Sequence, residues 1–129
     1  MHRVALKIYE AAKLSNLKRK AIEQEISCMI ELNGSEHFPR LLGTFETEES
    51  DVVLVQEYIS GNSLLKRLQH KFGPPKEEQA KDWMRQLANA VRFMHSKSVC
   101  HRDLKLDNII ISDSGKLKVI DFGFSVKCA

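Results

Sequence analysis

Cysteine and proline are scarce in these 129 residues, at three each, and glycine is limited to six. The cysteines, Cys28, Cys100 and Cys128, stand far apart in the sequence and are odd in number. They make no disulfide framework, and no two have the paired spacing of a metal site. The expectation is buried or half-buried thiols in a reducing compartment. That implies an intracellular, cytoplasmic protein, with the nucleus also open. No low-complexity tract and no internal repeat is present. No apolar run is long enough to span a bilayer, and the first residues, MHRVALKIYEAAK, lack the layout of a secretory signal. One-sided charge is missing too. Against 20 basic residues stand 17 acidic ones, and a net +3 is too small to argue for nucleic acid or an anionic membrane as the main partner. The remaining composition is ordinary for a globular chain, at 43% hydrophobic and 29% charged, and the length suffices for one domain with a core.

Val4 to Tyr9, VALKIY, is short and β-rich and reads as a strand. From Ala12 to Leu32 the pattern is helical: Leu14, Leu17, Ile22, Ile26, Met29 and Ile30 recur at steps of three and four. Asn33-Gly34-Ser35 should end that helix, since Asn and Gly tolerate a left-handed C-cap. Arg40 to Phe45 and Val52 to Tyr58 are short apolar segments joined by the acidic ETEESD, which suits a hairpin loop. Ser60-Gly61-Asn62-Ser63 is a polar break and the best boundary between two lobes, 1–59 and 60–129. Ser63 or Asn62 suits the cap of a short helix, Leu64 to His70, stopped by Gly73-Pro74-Pro75. The clearest helix runs from about Lys76 to Lys97, with Ala80, Trp83, Met84, Leu87, Ala88, Val91 and Met94 in one stripe. Trp83 and the methionines read as core. Two short strands, Ile109 to Ile111 and Leu117 to Ile120, flank a turn at Ser112 to Gly115.

Between the last helix and those strands lies CHRDLKLDNII, where two carboxylates, two cations and an amide crowd the start of a buried strand. A carboxylate beside two cations stays ionised, so Asp103 can accept a proton but is a poor donor. Lys105 can neutralise charge on a group in transfer. The amide oxygen of Asn108 and the carboxylate of Asp121 are hard ligands suited to magnesium. Base, cation and hard ligands on short loops at strand ends describe phosphoryl transfer better than hydrolysis. A glycosidase pair also uses two carboxylates but needs neither the lysine nor the amide.

His101-Arg102-Asp103-Leu104-Lys105-Leu106-Asp107-Asn108 resembles the catalytic loop of eukaryotic-type protein kinases, and Asp121-Phe122-Gly123 resembles their metal-binding motif. Val4-Ala5-Leu6-Lys7 is similar to their nucleotide-binding strand. Five fixed positions in eight match by chance on the order of once in a few million windows. The resemblance implies an α+β, protein-kinase-like fold, incomplete: a partial small lobe of antiparallel strands and one long helix, then the first part of a helical large lobe. It implies ATP and Mg2+ as cofactors and a protein substrate offering Ser or Thr. Asp103 is then the implied catalytic base and Lys105 the stabiliser of the migrating phosphoryl charge, a lysine there being similar to serine/threonine kinases. Asn108 and Asp121 would hold magnesium. Lys7 would hold the α- and β-phosphates, oriented by a glutamate of the long helix. Periodicity does not choose between Glu23 and Glu25; the family pattern favours Glu25. Val55 to Ile59 resembles the hinge, with Gln56 as gatekeeper and the backbone of Glu57 and Ile59 toward adenine. Ala5 and Ile110 would sandwich the ring, and Ser63 stands where a ribose contact often occurs. His101 has a structural role in such loops, packing under Phe122, and the resemblance implies that Arg102, otherwise a surface cation, would contact a phosphorylated activation segment. Asp-Phe-Gly-Phe-Ser resembles the calcium/calmodulin- and AMP-activated-like branch.

Six residues precede Lys7 and six follow Gly123, so the glycine-rich loop, the activation segment and its APE motif are expected in flanking coding sequence. Without them the Val4-to-Tyr9 strand should be a bare sheet edge and apolar surface should be uncovered on the large-lobe side. The other reading is a non-catalytic module that pairs through those surfaces. A module freed from catalysis has no physical need of Asp103, Asn108 and Asp121 together, which favours the enzyme.

Overall fold

Alternation in VALKIY is the first thing the fold uses. In the computed structural model, which describes residues 2–69 and 73–128, Val4–Tyr9 is strand β1. Successive side chains of a strand point to opposite faces, so Ala5, Lys7 and Tyr9 turn inward while Val4, Leu6 and Ile8 are exposed. β2 (Leu41–Glu46) and β3 (Val52–Glu57) form the expected hairpin, and the sheet order is β1-β3-β2. β1 is therefore an edge strand with three uncovered apolar side chains, as its sequence setting implied.

α1 (Asn16–Glu31) packs on this sheet. It starts four residues later than the periodicity suggests: a 3-10 turn at Ala11–Lys13 comes first, and Ser15 then caps the helix by accepting from the Lys18 N–H at 3.1 Å. Its end also differs. Leu32 is a right-handed C-cap, and neither Asn33 nor Gly34 is left-handed. Asn33 instead accepts the Leu41 N–H at 3.0 Å, tying the helix end to β2. The buried face is Ile22, Glu25, Cys28 and Met29, whereas Leu17 and Ile30, placed in the stripe by spacing, are exposed. A buried glutamate takes their place because it has a cation to meet.

After Glu57 the chain leaves the first sheet. Gly61–Ser63, expected to be only a polar break, forms β4 and pairs with β6 (Ile109–Ser112), which pairs with β7 (Leu117–Val119). Polar residues make this strand because its backbone fits a close approach: a Cβ on Gly61 would lie 2.2 Å from the Ile111 carbonyl. Ser63 then accepts the Lys66 N–H at 3.2 Å at the start of α2 (Leu64–Gln69); His70, expected in that helix, lies outside the described residues. α3 (Glu77–Ser96) buries Trp83, Ala90 and Met94. Met84, expected in the core, is 62% exposed, and Ala88 is exposed with it. The stripe is wider than the face that β5 and β7 cover, so its flank meets solvent. β5 (Val99–Cys100) pairs with β8 (Val126–Lys127), a two-residue ribbon too short to show as a pattern in the sequence.

The α1–β2 connection ties the two sheets together. The Val119 N–H donates to the His37 carbonyl at 2.8 Å, and Lys116 meets Glu36 at 2.8 Å. Phe38, 1% exposed, stacks on Phe93 and Phe122 at 6.1 and 5.8 Å between ring centres. One core thus runs from α1 to α3 and fixes the loops on either side of Phe122.

Candidate active site

Between the two sheets lies a cavity of about 320 Å³. Ala5 and Lys7 line it from β1, Glu25 from α1, Gln56 to Ile59 from the end of β3, and Ile110 and Asp121 from the opposite side. Ala5 and Ile110 thus stand on different sheets across one hollow. Met29 and Pro39 also line it, and the motifs had not marked them.

Lys7 is the centre of its charge. Its Nζ lies 2.6 Å from Glu25 Oε1 and 3.1 Å from Asp121 Oδ1, joining residues 18 and 114 positions away. Helical spacing left Glu23 and Glu25 equal; the structure puts Glu25 against Lys7, 1% exposed, and leaves Glu23 exposed. Burial alone would lower the Lys7 pKa, but the Glu25 charge and hydrogen bond hold it above its ordinary value. Burial likewise pushes the Asp121 carboxyl up, yet Lys7 and the Gly123 N–H, 3.2 Å away, hold it below the usual carboxylate range. Asp121 adopts φ 60°, a left-handed conformation that aspartate tolerates better than most residues.

Sequence reasoning missed a third partner of this pair. Tyr9 Oη donates to Glu25 Oε2 at 2.5 Å, and its phenol is pushed up to about 12, by burial and by that bond to the carboxylate. The signal was available: residues two apart on a strand share a face, so whatever meets Lys7 can meet Tyr9. Tyr9→Phe leaves one oxygen of a buried carboxylate without its donor. It should cost roughly 1.5–3 kcal/mol, the range for hydrogen bonds to charged groups, in urea unfolding of the chain. A change below a few tenths would mean that water replaces the phenol without penalty.

A second group sits beside the cavity without lining it. Asn108 donates its amide to the Asp103 carbonyl at 2.9 Å and to Asp103 Oδ2 at 3.2 Å, leaving its oxygen as the end available to a cation. Lys105 Nζ lies 3.6 Å from Asp103 Oδ2. Two bonds through one residue join this group to Asp121: the Ile120 N–H donates to the Asn108 carbonyl at 2.9 Å, and His101 Nε2 donates to the Ile120 carbonyl at 2.8 Å. His101 Nδ1 accepts the Asp103 N–H at 3.1 Å, which assigns the ring its Nε2–H tautomer. The ring is buried edge-on to Phe122 at 5.0 Å, the structural place expected of it. Arg102 is left-handed at φ 67° and donates from Nε to the Phe124 carbonyl at 2.8 Å.

Not every predicted residue converges. Ser63 is spent on its helix and does not line the cavity. Glu57 lines it, but its N–H donates to the Arg40 carbonyl at 2.9 Å and its carboxylate meets Lys118 at 3.3 Å. Among the described residues no three His, Cys, Asp or Glu side chains form a metal cluster. The oxygen donors here, one carboxylate and one amide, are the partial set that suits magnesium shared with phosphates.

A two-sheet cleft holds a paired lysine, and a carboxylate, an amide and a lysine stand on a short loop beside it. The chain belongs to the protein kinase domain family, whose model matches residues 1–129. It is 37% identical over 124 residues to CBL-interacting protein kinase 31 of Oryza sativa subsp. japonica, covering 95% of this chain and 27% of the relative. It is 39% identical over 128 residues to CBL-interacting serine/threonine-protein kinase 26 of Arabidopsis thaliana, at 95% and 28% coverage. CDPK-related kinase 5 of Arabidopsis thaliana is 34% identical over 126 residues, at 95% and 21%. The chain thus spans between a fifth and three tenths of the length of these curated relatives.

Proposed function

We propose that the protein these residues belong to is an ATP-dependent serine/threonine kinase, and that the cavity takes the nucleotide. The observation that carries this is Lys7, held by Glu25 and Asp121 at the wall of a hollow between two sheets. Ala5 and Ile110 form the two sides of an adenine slot. The Glu57 N–H is already spent on Arg40, so Ile59 supplies the backbone donor to the base. The Lys7 ammonium would hold the α- and β-phosphates, and Glu25 keeps it extended from the strand. Asn108 and Asp121 would hold magnesium by oxygen. Bound Mg-ATP supplies the phosphoryl group and the divalent charge that offsets its negative charge. Asp103 accepts the proton of the substrate hydroxyl, and Lys105 places a positive charge beside that transfer. Asn108 orients Asp103 from below through two hydrogen bonds. The likeness of Asp-Phe-Gly-Phe-Ser to the calcium/calmodulin- and AMP-activated-like branch agrees with the CDPK-related and CBL-interacting names of the relatives. We place the protein inside the cell.

The test is phosphate transfer by the product of the complete coding sequence that contains these residues. Incorporation of the ATP γ-phosphate into serine or threonine of a protein, abolished by chelating magnesium, is expected. Nucleotide binding without transfer, or transfer to tyrosine alone, would contradict the reading.

A further inference from the structure

Two of the three cysteines, remote in sequence, meet in the fold, and Cys128 is exposed rather than buried or half-buried as expected. The β5–β8 ribbon brings them together. Val99 faces Lys127 and Cys100 faces Val126, and the Cys128 N–H donates to the Ser98 carbonyl at 2.6 Å. Ser98 and Cys128 therefore stand opposite one another, and Cys100, two residues along, shares their face of the ribbon. The sulfurs lie 2.8 Å apart and share a hydrogen bond. That bond also holds the Cys100 thiol above its ordinary pKa. Cys28 is fully buried.

We infer that Cys100 and Cys128 are a redox modification site: a peroxide converts them to an intramolecular disulfide that dithiols reverse. The chemistry needs two thiols and one two-electron oxidant. The exposed Cys128, as thiolate, attacks one peroxide oxygen; the O–O bond breaks, hydroxide leaves and takes up a proton as water, and Cys128 becomes a sulfenic acid. The Cys100 sulfur attacks the Cys128 sulfur, the S–O bond breaks, and a second water carries off the Cys100 proton. One peroxide is reduced to two waters, and two thiols are oxidised to one disulfide. Bonded sulfurs lie about 2.05 Å apart, so the pair closes by less than about 1 Å. The bridge encloses 101–127, which contains the catalytic loop and Asp121, and clamps the segment after Gly123 to the strand that enters the loop. The disulfide itself is independent of the kinase reading, so either can fail alone.

The reduced chain, treated with hydrogen peroxide, quenched in acid and labelled with N-ethylmaleimide, is read by intact mass and peptide mapping. The expected product has lost two hydrogens, takes up one maleimide instead of three, carries a Cys100–Cys128 linked peptide and returns to three after dithiothreitol. It should form at least tenfold faster in the folded chain than in urea. Cys28→Ser should leave it unchanged, and Cys100→Ser and Cys128→Ser should each abolish it. Equal rates folded and unfolded, a bridge that includes Cys28, disulfide-linked dimers, or Cys128 driven to sulfinic acid beside a free Cys100 would each overturn the site. The mapping of the unmutated chain stands whether or not a variant folds.

Discussion

Asp103→Asn is expected to lower phosphate transfer by roughly 10²- to 10⁴-fold, the range for a positioned general base, with nucleotide affinity changed less than about twofold. The substitution conserves shape but removes the negative charge, and with it the ability to take a proton and the ion pair with Lys105. The Asp103 carbonyl still accepts from Asn108 at 2.9 Å, and its N–H still donates to His101, so the loop keeps its path. Lys7, Glu25 and Asp121 make no contact with the Asp103 side chain in their own hydrogen bonds. Turnover and nucleotide dissociation constants, measured on the product of the complete coding sequence, separate the two effects. Turnover within threefold of the parent would end the role of Asp103 as base. A parallel loss of nucleotide affinity would mean that the loop had collapsed instead.

Phe122→Ala should be the most damaging single change to stability, at about 3–5 kcal/mol. For a domain of this size that is a fifth or more of the total, which is typically about 5–15 kcal/mol. The ring is 1% exposed and touches both Phe38, from the connection that joins the sheets, and His101, from the catalytic loop. Its removal opens a cavity where three segments meet, and it frees the His101 ring whose two hydrogen bonds locate Asp103 and Ile120. Denaturant unfolding checks the magnitude. A loss under 1 kcal/mol would show that neighbouring side chains fill the gap, and the aromatic stack would then be incidental to the site. Phe122→Leu, which retains most of the volume, should recover more than half of the loss.

The local pattern was legible where one element decided its own form. Strand β1, the β2–β3 hairpin, α3 and the β6–β7 turn follow from periodicity and turn residues within about 20 positions. Errors gathered where a distant partner decided. Gly61–Ser63 carries no strand signal and becomes a strand because β6 lies beside it. Met84 and Ala88 fit the helical stripe but have no described neighbour to bury them. Asn33 gives up the expected C-cap because Leu41 offers a donor. In each case propensity was the weaker influence.

Chemistry and convergence divide in the same way. The order of residues by itself determined which groups exist: carboxylates, two cations and an amide at intervals that match one family, because a short loop fixes the relative placement of neighbours. Only the tertiary structure decided that Glu25 rather than Glu23 meets Lys7, that Tyr9 completes the pair, and that Cys100 finds Cys128. Those outcomes depend on distance through space between segments 16 to 28 residues apart, which α1 beside β1 and the β5–β8 ribbon close.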